Sequence, residues 1–171
     1  MVLGALMLLS MVSLTINSMI IDKTTAMLDA EASLNAISIA QSMLDEVQAK
    51  SYDLATVSAK VYKASDFTAT SSLGPNSTET YNVPQPDTAT PFRSVKYYND
   101  VDDYQYYKRT VKTDRMNKFT VVDTVFYVVE TNTDQKSTAQ TFHKKIEVTV
   151  RHPNMLRPLK LSDVAVYRRY F

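Results

Sequence analysis

The chain has 171 residues, with two Gly, six Pro, no Cys, no Trp, two His and a formal net charge of +1. A phosphate-cradling loop needs several glycines so that backbone N–H groups can approach an anion, and Gly4 and Gly74 do not supply one. The absence of Cys removes thiol nucleophiles, disulfides and iron–sulfur sites, His143 and His152 alone make no zinc pair, and 19 basic against 18 acidic residues give no field for a nucleic-acid partner.

Residues 1–21, MVLGALMLLSMVSLTINSMII, carry no charge. As a helix they reach about 30 Å, the thickness of a hydrocarbon core. No Lys or Arg precedes the run, unlike the basic start of a secretory signal peptide, and the next segment continues in helical register. Ser10, Ser13, Thr15 and Asn17 interrupt it. The hydroxyls have two open readings, back-bonding to their own helix or bonding across packed helices; Asn17 is the better intersubunit candidate.

Asp22 to Lys50 contains neither Gly nor Pro and is rich in Ala, Leu, Met, Glu and Gln. Met27, Ala30, Leu34, Ile37, Ala40, Leu44 and Val47 recur at spacings of three and four, which predicts one apolar stripe. Leu34, Ile37, Leu44 and Val47 are the candidates for packing a helix on a sheet. The two segments together predict a single helix over 1–52, apolar over 1–21 and amphipathic over 22–52, roughly 75 Å long. No domain of this size covers such a helix. Its first half therefore needs lipid or neighbouring subunits around it.

Residues 53–94 are rich in Ser and Thr and hold Gly74 and several prolines, which reads as a connecting loop with a short strand near Ala59 to Tyr62. Asn76-Ser77-Thr78 satisfies a glycosylation sequon, and an unmodified polar loop is the competing reading. Tyr97 to Tyr107 interleaves tyrosines with Asp100, Asp102 and Asp103. Those three aspartates are candidate calcium ligands; the alternative is an acidic turn whose carboxylates accept backbone N–H bonds.

From residue 119 onward the pattern is β. Phe119 to Glu130 and Gln140 to Arg151 are β-branched and aromatic, joined by a polar turn, and predict an antiparallel hairpin. Phe142, Ile146, Val148 and Val150 share one parity as the buried face. Pro153 ends that strand. Residues 159–171 predict a third strand with Leu159, Leu161, Val164, Val166 and Tyr170 turned to the core. The fold class is α+β: a long N-terminal helix whose C-terminal half packs on an antiparallel sheet, followed by a head over 53–171 with its sheet over 119–171.

This layout resembles type IV pilins and the pseudopilins of type II secretion. Local similarity is strongest at Ala40-Gln41-Ser42-Met43-Leu44-Asp45-Glu46-Val47 and at Asn99-Asp100-Val101-Asp102-Asp103-Tyr104. Met1 fits the processed, methylated first residue of that family, whereas the family's Glu at position five is Ala5 and its frequent proline near position 22 is Asp22. The resemblance implies a structural, non-enzymatic subunit of a helical cell-surface filament, with no cofactor beyond the calcium candidate. It implies a filament core built from Met1, Val2, Leu3, Leu6, Met7, Leu8, Leu9, Met11, Val12, Leu14, Ile16, Met19, Ile20 and Ile21. Its partners would be further copies of the chain, an inner membrane before assembly, a prepilin peptidase and an inner-membrane assembly machinery. A minor pilin or pseudopilin, and a single-span anchored envelope domain, are the alternatives.

Overall fold

The computed structural model describes residues 2–168, without the side chains of Val2, Leu3, Ala5, Leu6 and Tyr81. The readings placed on Met1 and Tyr170, and on the side chains of Val2, Leu3 and Leu6, lie outside the described residues. Helix α1 runs unbroken over Val2–Gln48. The cause is local: from Ala5 to Gln48 nothing interrupts the backbone hydrogen-bond ladder, and good helix formers dominate.

Five antiparallel strands follow: β1 Lys108–Val111, β2 Phe119–Val129, β3 Asn132–Lys136, β4 His143–Arg151 and β5 Leu159–Val166. They are ordered β1-β2-β4-β5, with β3 folded back on the end of β2. The β2–β4 ladder sets Val125 opposite Ile146 and Val121 opposite Val150, so the alternating apolar residues of both strands share one face. Helix α1 lies on that face and touches β4 and β5. The α+β architecture is thus a long helix on an antiparallel sheet, the pilin-like arrangement.

The helix meets the sheet through Ala32, Ala36, Ile39, Ala40, Met43, Leu44 and Val47. Three alanines in register let the helix axis approach the sheet closely, and the larger Met43 and Val47 fill the space towards the helix end. This corrects the expected stripe. Leu44 and Val47 pack as anticipated, but Leu34 is 70% exposed and Ile37 40% exposed. The helix carries two apolar faces, and the sheet takes the one built on small residues.

The 53–94 segment expected to be a loop contains two short helices, α2 Leu54–Ser58 and α3 Ser77–Asn82, and the start of a third, α4 Arg93–Tyr97, and no strand near 59–62. Asp53 and Asn76 start α2 and α3 as capping boxes. Asn76, the sequon residue, accepts from the Thr78 and Glu79 amides and the Thr78 hydroxyl. Strand β5 starts at Leu159 as expected but ends at Val166, with Leu159, Leu161 and Ala165 against the core, while Val164 and Val166, expected to face the core, lie on the other face. A second cluster of Tyr52, Val61, Phe67, Tyr127 and Phe142, joined by Tyr167, fills the space under the 53–73 segment.

Candidate assembly surface and buried ionic clusters

From Met7 to Ile21 every large apolar side chain of α1 lies exposed, all round the helix; Leu14 is 76% exposed. Soluble chains rarely leave more than a few hundred Å² of contiguous apolar surface uncovered. Further along, Met27, Leu28, Leu34 and Ile37 extend exposed apolar surface beside the head. Three hydroxyls of this half turn inward to their own helix: Ser10 donates to the Met7 carbonyl, Thr15 to Met11 and Ser18 to Thr15, each at 2.9 Å. Asn17, in contrast, lines a shallow groove with Leu9, Val12, Leu14, Ile16 and Ile20. Among the described residues no helix is long and apolar enough to cross a membrane.

In the head, the chemistry-bearing residues form two buried clusters. The first ties α1 to the sheet edge. Glu46 accepts from the Arg109 guanidinium, from the Ser94 hydroxyl at 2.7 Å and from the Tyr104 phenol at 2.9 Å. The Arg109 guanidinium also lies 4.5 Å from the Phe92 ring centre. Next to them Asp87 is fully buried and accepts from the Arg93 and Ser94 amides and the Tyr107 phenol. Its own backbone pairs with Lys108 and Thr110 on the outer side of β1. Tyr98, Tyr104 and Tyr107 pack edge to face, with ring centres 5.0 to 5.6 Å apart. Burial pushes all three phenols well above their ordinary range, reinforced by the carboxylates nearby.

Asp123 faces the same interior, and neither of its carboxyl oxygens has a hydrogen-bond partner. Burial drives its pKa well above the ordinary carboxylate value; Arg109 opposes the shift and Glu46 adds to it.

The second cluster centres on Lys144, whose side chain is wholly buried. Its ammonium spends its three N–H bonds on the Tyr52 carbonyl at 2.8 Å, Asp53 at 2.8 Å and Asp102 at 2.6 Å. The Tyr52 and Tyr127 ring centres lie 4.5 and 5.2 Å away. Burial works to raise the Asp53 pKa, but Lys144 and the amides of Ala55 and Thr68 outweigh it and hold the carboxyl below its ordinary value.

The three aspartates proposed for calcium are all buried here, each with its own partner. Asp102 is bound to Lys144, Asp100 accepts from the Asp102 and Asp103 amides, and Asp103 accepts from the Asn99 and Asp100 amides. That is the geometry of an acidic turn. Among the described residues no group of three or more His, Asp or Glu is arranged to hold a metal ion.

Glu46, Asp87, Arg109, Asp123 and Lys144 did not stand out in the sequence. Parity carried a signal for two of them. Asp123 shares the parity of Val121 and Val125, and Lys144 that of Phe142 and Ile146, so each falls on the inward face of its strand. No family model matches the chain, and neither does any curated protein or solved structure.

Proposed function

We propose that the chain is a structural subunit of a helical, type IV pilus-like filament on the cell surface, polymerised through α1. The observation that carries this reading is the apolar surface of α1, exposed on every side from Met7 to Ile21 and continued by Met27, Leu34 and Ile37. One neighbour covers one face of a helix. A helix that is apolar all round needs several, and a screw repetition of one heterologous contact supplies them in an open polymer. Burial of each Leu or Met side chain contributes about 1.5 to 3 kcal/mol, so the contact is strong without any polar specificity at its centre.

On this reading the head is the exposed outer layer and has no catalytic role. The partners are further copies of the chain. A membrane shelters the helix before assembly, and a prepilin peptidase and inner-membrane machinery process and extract it. The test is electron microscopy of the full chain after detergent removal and of material sheared from the producing cells. Thin filaments whose mass spectrum contains this chain are the expected result. A monodisperse species in both preparations overturns the reading.

A further inference from the structure

The Lys144 amine is sealed inside the head with two carboxyl groups. Its Nζ lies 2.6 Å from Asp102 Oδ1 and 2.8 Å from Asp53 Oδ2, and the three side chains are 0%, 3% and 1% exposed. The rings of Tyr52 and Tyr127 close the site around the nitrogen. Two other lysine pairs of the sheet are open to water: Lys145 meets an Asp134 that is 89% exposed, and Lys160, paired with Glu147, is 57% exposed. Lysine is the residue whose buried amine becomes a nucleophile once it gives up its proton.

The two carboxyl groups are not equivalent. Asp53 accepts from the Ala55 and Thr68 amides, the Thr68 hydroxyl and the Tyr127 phenol, at 3.0 to 3.2 Å. These neutral donors fix its position and favour its ionised form. The hydrogen bond described for the Asp102 carboxyl comes from Lys144. One ammonium thus faces two carboxylates in surroundings where charge is costly. Joining Lys144 to Asp102 removes one charge of each sign and leaves Asp53 on its neutral donors. The amide keeps a single N–H, and the Tyr52 carbonyl, 2.8 Å from Nζ, is its acceptor.

We propose that Lys144 and Asp102 condense inside the folded head to an intramolecular amide bond, with Asp53 carrying a proton between the reacting groups. The ammonium first passes one proton to Asp102, which gives a neutral amine and a neutral acid. Nζ then bonds to Cγ of Asp102. Asp53 takes a second proton from the nitrogen and returns it to the departing hydroxyl. The C–O bond breaks, one water molecule leaves, and Asp53 ends as it began, so no oxidant or other reactant is consumed. Holding the groups in contact replaces a bimolecular encounter, and exclusion of bulk water disfavours the reverse hydrolysis. Tyr52 and Val101, at the edge of the site, line a surface groove through which the water can depart. Before it reacts, the pair is the ionic cluster whose charges act on Asp53. The bond ties β4 to the loop before β1, a covalent closure in a chain that has no Cys for a disulfide. It belongs to the head alone and does not depend on filament formation.

The experiment is mass spectrometry of the full chain, purified in detergent, denatured and cut with trypsin. The expected product is a branched peptide in which residues 97–108 are joined to residues 137–145, lighter by one water molecule than its two parts together and uncut after Lys144. Recovery of 97–108 as a free peptide, together with cleavage after Lys144, overturns the proposal. So does a loss of water confined to 97–108, which marks an aspartyl residue cyclised on its own backbone. Lys144→Arg keeps the charge and is expected to abolish the branched peptide; its persistence there places the bond elsewhere and overturns the assignment. In Asp53→Asn the yield is expected to fall at least about tenfold. An equal yield overturns the part given to Asp53, and should that variant not fold, the peptides of the natural chain decide for the bond.

Discussion

Glu46, on the inward side of α1, is paired with Arg109 of β1, and through this pair the helix reaches the strand at one edge of the sheet. Both side chains are largely buried, and Glu46 also receives Ser94 from α4 and Tyr104 from the loop before β1. Removing one partner of a buried pair leaves an uncompensated charge, which typically costs about 3 to 5 kcal/mol. Glu46→Ala and Arg109→Ala are therefore each expected to lower the denaturant midpoint strongly. The double change Glu46→Met, Arg109→Met should recover most of the loss, because it removes both desolvation penalties together. Equilibrium unfolding of the four proteins checks this, and additive losses would contradict it.

Asp123 gives the opposite expectation. Its carboxyl is fully buried without a hydrogen-bond partner, so it contributes a desolvation cost and nothing in return. Asp123→Val, a change to a β-branched apolar residue on the inward face of a central strand, is expected to stabilise the head by about 1 to 3 kcal/mol. The folded-state pKa of Asp123 is raised, so its proton-linked stability is complete below the ordinary carboxylate value and declines as pH rises. Stability against pH should accordingly be flatter in Asp123→Val than in the natural chain. Denaturant midpoints measured across the acid and neutral range check both points.

The parts of this molecule that were legible in the sequence are those where one physical signal acts alone. Helix α1 follows from composition and the lack of interruptions, and β2 and β4 follow from β-branched alternation ended by Pro153. The helix face was misjudged because two apolar stripes compete on it. Periodicity weighs Leu34 and Ile37 above Ala32 and Ala36, whereas close approach to a sheet favours the smaller residues. Strand β3 looked like a turn because its residues are polar, and it exists because β2 outlasts its pairing with β4 and offers a free edge. The ionic clusters were illegible for a different reason. Glu46 and Arg109, or Asp53 and Lys144, lie far apart in the chain, and their meeting is a consequence of the packed fold.

Lys144 provides a test of the second cluster. Lys144→Met retains the aliphatic length between Tyr52 and Tyr127 but withdraws the buried ammonium from Asp53 and Asp102. A loss of about 3 to 5 kcal/mol is expected. The pH dependence should change as well. With its folded pKa lowered, Asp53 contributes stability that is present above the ordinary carboxylate value and lost as pH falls through the folded one. Without Lys144 the main opposing charge is gone, the Asp53 pKa rises, and this acid-side loss should shrink. Thermal unfolding of both proteins across the acid range checks the prediction.

The two apolar faces of α1 should respond differently to substitution, and this separates folding from assembly. Ala36 is fully buried between helix and sheet, so Ala36→Leu forces the helix away from β4 and β5 and is expected to cost about 1 to 3 kcal/mol in head stability. Leu34 and Met27 point away from the sheet, at 70% and 67% exposure. Leu34→Asp and Met27→Asp therefore leave the thermal unfolding of the detergent-solubilised chain unchanged. In an assembled filament the same changes place a carboxylate against the apolar surface of a neighbour, where burying an unpaired charge is strongly unfavourable. Assembly, followed by sedimentation after detergent removal, is expected to fail for the two Asp variants and to persist for a conservative Leu34→Met. If Leu34→Asp and Met27→Asp assemble like the natural chain, the outer face of α1 lies free of subunit contacts and polymerisation rests on the segment before residue 22 alone.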